Sequence, residues 1–201
     1  MDEKTKIINY TLDHLFTKGY SSCTMDMISK GLHMSKKTLY KHFSSKDELI
    51  EAAIDSMILN IKTKIEAVVD NNKFNAIEKL AQIVVVVTGV FSKVNIDYFD
   101  YLRVTGYHIW EKIEEFRKKM IIENYSKVLE QGKREGYFVD KPNVIVITIM
   151  LTIIRAVVNP EFLINNNFSF ETAARFSIDF IMNGLLTPKG RKLYEQLNKG
   201  L

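Results

Sequence analysis

The chain has 201 residues, of which 46% are hydrophobic and 26% are charged. These proportions are ordinary for a globular protein and exclude a mainly disordered chain, because enough apolar surface is available for a core. With 3 Pro and 9 Gly, long helices are favoured over a turn-rich all-β fold. The lone Cys23 excludes an internal disulfide and a cysteine-based zinc site. The formal net charge of +4 is too small to identify a nucleic-acid partner by itself.

No segment of the sequence has the length and composition of a membrane anchor. The N-terminal Met-Asp-Glu-Lys-Thr-Lys is not an apolar signal segment, which predicts a cytoplasmic protein. The longest apolar stretch covers 144–158 and is interrupted by Thr148, Thr152 and Arg155. At about 1.5 Å per residue, a helix of that length falls short of a hydrocarbon core of roughly 30 Å. We therefore expect a buried helix and no membrane partner.

Apolar residues recur at helical spacing along most of the chain. The first predicted helix ends at Gly19, and short helices are expected at 24–31 and 35–41, on either side of a break at His33. A fourth helix is predicted from the capping-box pair Ser45 and Glu48 to about residue 70. Its apolar face is regular enough to predict one continuous helix over this whole range.

Further helices are predicted at 75–93, 96–106, 108–135, 140–158 and 169–186, and a short last one begins at 187. Asp140 is expected to cap the helix that carries Pro142 in its first turn, and Asn159-Pro160 to end it. The fold class is therefore all-α, with about nine or ten helices and no flexible linker.

The charges are distributed unevenly, because residues 27–46 contain five lysines and no Asp or Glu. Lys36 and Lys37 lie in the first turn of the third helix and Lys46 in that of the fourth. Cations at a helix N-terminus are disfavoured by about 0.3–1 kcal/mol each. An external anion such as phosphate would explain them, and on charge alone a solvated lysine-rich surface remains the alternative.

The second and third helices have the lengths and the tight turn of a helix-turn-helix, whose second helix enters the DNA major groove. Leu39 is predicted to face the core. The side chains predicted to face outwards are Lys36, Lys37, Thr38, Tyr40 and Lys41.

In these residues the sequence resembles the TetR/AcrR family of bacterial transcription regulators. The resemblance is carried by Gly19-Tyr20, Thr24, Ile28, Ser35-Lys36-x-Thr38-Leu39-Tyr40-x-x-Phe43 and Ser45-Lys46-Asp47-Glu48-Leu49. It implies a homodimer that binds a palindromic operator in double-stranded DNA and is released by a small-molecule effector of unknown identity. It also implies a helix-turn-helix domain at 1–48, joined by the continuous fourth helix to a ligand-binding and dimerisation domain at 49–201.

By matching positions, the resemblance implies phosphate contacts from Thr24, Tyr40 and Lys46. It implies contacts at or near the bases from Lys36, Lys37, Thr38 and His42, and Ser35 and Lys41 complete the predicted DNA-binding set. His42 is equally consistent with a simple helix-end position. Three departures from the family pattern are His33 in place of a turn glycine, Asp26 in place of a cation and Lys37 in place of glycine.

A cluster of aromatic residues in the middle of the chain indicates either core packing or a ligand pocket. The predicted pocket residues are Phe91, Tyr98, Tyr101, Trp110, Tyr125 and Arg155. Arg155 interrupts an apolar run, so it pairs with an internal acid, crosses a dimer interface or holds an acidic ligand. Helices 144–158 and 170–186 are the candidates for the dimer interface, and internal core is the alternative.

The sequence predicts no catalytic, metal or cofactor site, because the phosphate-binding loops, zinc motifs and nucleophile motifs of enzymes are missing. We interpret the chain as a ligand-responsive transcriptional regulator, a repressor, in which a tilt of the fourth helix changes the spacing of the recognition helices. The alternatives are an all-α enzyme, or a basic helical adaptor without sequence-specific DNA binding.

Overall fold

The structure, a computed structural model, describes residues 2–91, 94–95 and 106–198. Its helices are α1 (Glu3–Lys18), α2 (Met25–Gly31), α3 (Lys36–His42), α4 (Lys46–Val69), α5 (Ala76–Phe91), α6 (Tyr107–Met120), α7 (Ser126–Arg134), α8 (Asn143–Val157), α9 (Pro160–Asn166), α10 (Phe170–Leu185) and α11 (Pro188–Asn198). In this part of the chain the extended pairing amounts to one antiparallel bridge, between Phe138 and Leu186. The all-α prediction is confirmed. The helix predicted at 96–106 lies, apart from Gly106, outside the described residues.

The ends of the first three helices follow from local capping chemistry. Thr24 accepts a hydrogen bond from the Met27 amide at 3.2 Å, and Ser35 accepts one from the Thr38 amide at 3.0 Å. Each satisfies a backbone donor that the helix itself cannot pair. Gly19 ends α1 with φ 84°, a conformation that costs glycine little.

At the start of α4 the predicted capping box forms only in part. Ser45 accepts from the Glu48 amide at 3.1 Å, as expected. The Glu48 carboxylate, however, accepts from the amide and the hydroxyl of Ser44, both at 2.6 Å, instead of the Ser45 amide. These two bonds hold the pKa of Glu48 below its usual value.

The single helix predicted at 108–135 is continuous from α6 through α7, with one π-helical turn at Ile121–Tyr125 between them. A π turn widens the helix locally by one residue and shifts the faces on either side of it. One expectation about the next helix is wrong. Asp140 does not cap α8, which begins at Asn143 after Pro142, and instead pairs with Lys133 at 3.4 Å. The preceding helix ends at Val157, before Asn159-Pro160 as expected, and these two residues then begin a helix that was not predicted, α9, with Asn159 as its cap and Pro160 in its first turn.

Helix packing divides the chain into two compact units. The first contains residues 1–60 and 93–114, and the second contains residues 61–92 and 115–201. Helix α4 is unbroken across the division at residue 60. The predicted domain boundary between residues 48 and 49 concerns function and stays a prediction.

The first unit is built around a small core that α1, α2, α3 and the start of α4 share. Its buried members are Ile7, Met25, Ile28, Leu39, Phe43 and Leu49. Burying one such side chain stabilises a fold by about 1.5–3 kcal/mol. This core therefore holds the two short helices, which at seven residues each are marginal alone, in a defined arrangement.

In the second unit α5 packs against α7 and α10, and α8 packs against α7, α9 and α10. A buried lysine, Lys79 of α5, closes the end of α4 within this unit: its ammonium donates to the Val69 carbonyl at 2.5 Å and to Gln131 Oε1 at 2.8 Å. Gln131 in turn donates to Glu135 at 2.7 Å, and the other Glu135 oxygen accepts from the Ala76 amide at 2.9 Å. The last turn of α4 and the first turn of α5 are thus joined to α7 by one polar network.

None of the described helices is long and apolar enough to cross a bilayer alone; Asn143–Val157 and Pro160–Asn166, bent by 54°, meet the length and composition criteria only as a pair.

Candidate nucleic-acid interface

The turn between α2 and α3 is a tight one, and His33 takes its strained position. His33 has φ 54°, which places it in the left-handed region expected for a residue that stands where a glycine is usual. The Met34 amide donates to the Ser29 carbonyl at 2.9 Å and fixes the turn. The chain therefore leaves α2 and enters α3 with helix-turn-helix geometry.

Helix α3 presents one residue to the core and most of its remaining side chains outwards. Leu39 is 0% exposed, whereas Tyr40 is 51% exposed. Lys36, Lys37 and Lys41 are exposed as well, and Thr38 is half-buried. The predicted division of the helix into a core-facing leucine and an outward surface of lysine and tyrosine matches this burial.

One of the exposed lysines already has an acidic partner within the chain. Asp26 lies between Lys36, at 2.8 Å, and Lys30, at 2.9 Å. Hydrogen bonds to the two ammonium groups lower the pKa of Asp26, and the bond to Asp26 raises the pKa of Lys36. Lys37 and Lys41, by contrast, make no ion pair with the described residues.

Lys46 and His42 also have partners inside the first unit. The Lys46 ammonium donates to the Tyr20 carbonyl at 2.7 Å and lies 3.8 Å from the centre of the Tyr20 ring. His42 pairs with Glu3 of α1 at 2.8 Å. These contacts join α4 to the turn after α1 and the end of α3 to α1, so both residues contribute to the framework that holds α3.

The predicted effector-pocket residues fall in different parts of the chain. Phe91 stacks on Phe170 in the second unit, with ring centres 4.5 Å apart. Tyr125 is buried in the same unit, and desolvation raises its pKa to about 12. Arg155 is exposed on α8, and Trp110 is half-buried in the first unit. Tyr98 and Tyr101 lie outside the described residues, so the pocket stays a prediction.

Arg117 is a half-buried cation that the sequence pattern did not reveal. Its guanidinium donates to the Val158 carbonyl at 3.1 Å, and its pKa falls to about 10, mainly through burial and to a lesser degree through the nearby charge of Arg155. Arg117 stands four residues after Ile113, at inward helical spacing, but the adjacent Lys118 and Lys119 give the segment the composition of a solvated face. No group of three or more His, Cys, Asp or Glu within the described residues is arranged to hold a metal ion.

Three comparisons agree with this geometry. Residues 7–53 match the family described as "Bacterial regulatory proteins, tetR family". The uncharacterised HTH-type transcriptional regulator YvaF of Bacillus subtilis (strain 168) is 24% identical over 183 residues, which span 90% of this chain and 94% of that relative. The biofilm operon icaADBC HTH-type negative transcriptional regulator IcaR of Staphylococcus epidermidis is 34% identical over 53 residues, covering 26% of this chain and 29% of that relative.

Among solved structures, a TetR-family transcriptional regulator from Marinobacter aquaeolei VT8 superposes with a TM-score of 0.75 at 15% identity, covering 100% of this chain and 98% of the other. The helix-turn-helix, its exposed basic helix and these matches define a DNA-binding transcriptional regulator and not an enzyme. Residues 7–53 are thus similar to the DNA-binding segment of the TetR family, and the chain as a whole shares the fold of a TetR-family regulator.

Proposed function

We propose that this regulator is a homodimeric repressor that binds a palindromic operator through α3 and is released from it by a small molecule. The observation that carries the proposal is the outward surface of α3, where Lys36, Lys37, Tyr40 and Lys41 surround the buried Leu39. In a helix-turn-helix the equivalent surface of the second helix lies in the major groove. Such a regulator acts on the chromosome, so we expect it in the cytoplasm.

The partners of each side chain support different roles within the interface. Lys37 and Lys41, without ion pairs among the described residues, are assigned to bases and phosphates. The Tyr40 hydroxyl and the Thr24 side chain at the start of α2 are assigned to phosphates. Lys46 retains two ammonium protons beyond the one given to Tyr20, so it can bind a phosphate while it holds the turn. His42 reaches DNA only by exchanging its Glu3 partner.

The homodimer is supported by apolar side chains that α8 and α10 leave exposed. Val144 and Phe176 are each 71% exposed, Phe180 is 67% exposed, and Ile145 and Ile149 also face solvent. The two helices pack against each other in the second unit. Large exposed apolar residues on neighbouring helices mark a protein–protein interface, and two such pairs form a four-helix bundle about a twofold axis.

For release, we propose that an effector bound in the second unit tilts α4, which is one unbroken helix from Lys46 to Val69. A dimer binds productively when its recognition helices are about 34–36 Å apart, or a multiple of that distance. The effector shifts the equilibrium only by its differential affinity for the two states, typically about 1–3 kcal/mol. Of the predicted effector contacts, Phe91, Tyr125 and Arg155 belong to this second unit and are the ones we retain in the proposal.

The test is a selection of bound duplexes from random-sequence DNA with the full-length protein, followed by titration of the enriched duplex in the presence of candidate metabolites. We expect an enriched motif with twofold symmetry, and at least one metabolite that lowers the affinity for it. Equal binding to every duplex would favour the basic helical adaptor instead. A metabolite that strengthens operator binding would reassign the protein as a corepressor-dependent regulator.

A further inference from the structure

Asp26 is an acidic residue that lies directly beside the basic surface of α3, the proposed DNA-binding helix. Its two carboxylate oxygens hold two different lysines, Lys30 through Oδ2 and Lys36 through Oδ1. Within the described part of the chain, Asp26 supplies the one carboxylate that pairs with a lysine of α3. The following twenty residues, 27–46, contain five lysines and no acid. Asp26 therefore offsets one unit of positive charge at the edge of this basic segment.

The two ion pairs differ in what they connect. Lys30 is four residues from Asp26 on the same helix, so that pair is local. Lys36 is the first residue of α3, so its pair crosses the turn from α2. Lys36 remains 60% exposed while it is held. An exposed pair of this kind adds little to stability, and its main effect is on where the Lys36 ammonium points.

These charges act differently on operator and non-operator DNA. Non-specific binding is almost entirely electrostatic, and each neutralised phosphate changes the slope of log affinity against log salt by about 0.9. A carboxylate at the interface lowers this attraction for every sequence. A lysine that is already directed, by contrast, loses less side-chain freedom when it meets one particular base or phosphate. The same residue thus weakens the general attraction and preserves the specific contact.

We propose that Asp26 is a specificity-determining residue: by holding Lys36 and neutralising part of the basic surface, it lowers the affinity for non-operator DNA more than the affinity for the operator. This inference rests on the proposed function. It assigns to Asp26 a role in discrimination that it performs through Lys36, without a contact of its own to a base.

The experiment compares full-length wild type and Asp26→Asn on two duplexes, the one enriched by wild type from random sequence and a scrambled duplex of the same composition. Affinities are measured by fluorescence anisotropy over a series of salt concentrations. For Asp26→Asn we expect non-operator affinity to rise on the order of threefold and its salt slope to steepen by up to about 0.9. Operator affinity should rise less, so that the ratio of operator to non-operator affinity falls.

Matched variants separate this role from a general charge effect. Asp13→Asn removes one exposed acid from α1 and should leave the affinity ratio unchanged. Asp26→Glu keeps the charge and should keep the affinity ratio. If Asp26→Asn does not fold, Asp26→Ser replaces it, because serine suits the first turn of a helix, and it should lower the affinity ratio in the same way. In a Lys36→Gln background, Asp26→Asn should have less effect on the ratio, because the side chain through which it acts is gone.

The outcomes distinguish this inference from the proposed function. If wild type enriches no motif, the proposed function itself fails. If wild type is selective but Asp26→Asn leaves the affinity ratio unaltered, or Asp13→Asn lowers it equally, the role of Asp26 is overturned. An undiminished effect of Asp26→Asn in the Lys36→Gln background would overturn the assignment to Lys36.

Discussion

Replacing Lys79 by methionine should destabilise the second unit by about 2–6 kcal/mol, because two acceptors inside the fold lose their donor. Lys79 is 3% exposed, and its ammonium serves two acceptors, the Val69 carbonyl and Gln131 Oε1. Methionine is close to lysine in length and keeps the packing of the aliphatic stem, so the substitution isolates the loss of the two hydrogen bonds. Each buried acceptor left without a donor costs about 1–3 kcal/mol.

The loss should extend beyond Lys79 because Gln131 has no unused hydrogen-bonding group in this network. Its amide nitrogen donates to the Phe74 carbonyl at 3.0 Å and to Glu135 at 2.7 Å. Those two bonds fix which way the amide points, so Gln131 cannot turn its oxygen towards another donor without breaking them. The last turn of α4 also lacks a basic residue of its own, and Lys79 supplies the cation that a helix C-terminus favours.

The assay is urea unfolding followed by circular dichroism at a single protein concentration, with thermal melting as a second measure. At about 2–4 °C per kcal/mol for a chain of this size, the melting temperature should fall by roughly 4–24 °C. The matched control is Lys62→Met on α4, where the lysine is exposed and 3.9 Å from Glu66, with an expected change within about 0.5 kcal/mol. A Lys79→Met variant as stable as this control would refute the proposed network.

Three further results are expected. Lys37→Ala should alter the preference for particular bases in the operator, whereas Tyr40→Phe should weaken binding to all duplexes equally. Competition binding against single-base operator variants measures both effects. If the two variants show the opposite pattern, the base and phosphate roles of Lys37 and Tyr40 are exchanged. Phe176→Asp should give monomers by light scattering, because it places a charge in the proposed interface. The control, Leu59→Asp, changes a 63% exposed apolar position on α4 and should leave the dimer intact. A Phe176→Asp variant that remains dimeric would place the interface elsewhere. Burial raises the pKa of Tyr125 from 10.0 to about 12. Wild type should therefore lose stability as pH rises from about 10 to 12, because the unfolded chain releases the Tyr125 proton at a lower pH than the folded chain does. Tyr125→Phe should lose less stability over this range in thermal melts at alkaline pH, and an identical pH profile for the two proteins would contradict this prediction.

The basic surface of α3 is less positively charged than its lysine content indicates. Asp26 pairs with Lys36, the first residue of α3, and offsets its charge. Lys37 and Lys41 are the lysines of α3 without ion pairs among the described residues. We therefore expect the salt dependence of DNA binding to be smaller than a count of lysines predicts, since each released counterion requires a cation that meets a phosphate.

Much of the helical framework was determined by local sequence, because local chemistry decides where a helix begins and ends. Ser35 caps α3 and Gly19 ends α1 through bonds between residues at most four apart. The inward position of Leu39 follows from helical periodicity. Where two local signals competed, as at Pro142 and Asp140, the prediction was wrong: proline took the capping position, and the aspartate paired with Lys133.

What the sequence by itself determined is the all-α fold, the helix-turn-helix and the outward face of α3, all of which depend on spacing within one helix or between adjacent helices. Only the tertiary structure decided the partners of the charged side chains. Asp26 with Lys36, Glu3 with His42, and Lys79 with Gln131 join residues 10, 39 and 52 positions apart. No periodic pattern encodes such pairs, because they depend on how helices pack, and the same lysine is a solvated charge, a helix cap or a DNA contact according to what the fold places beside it.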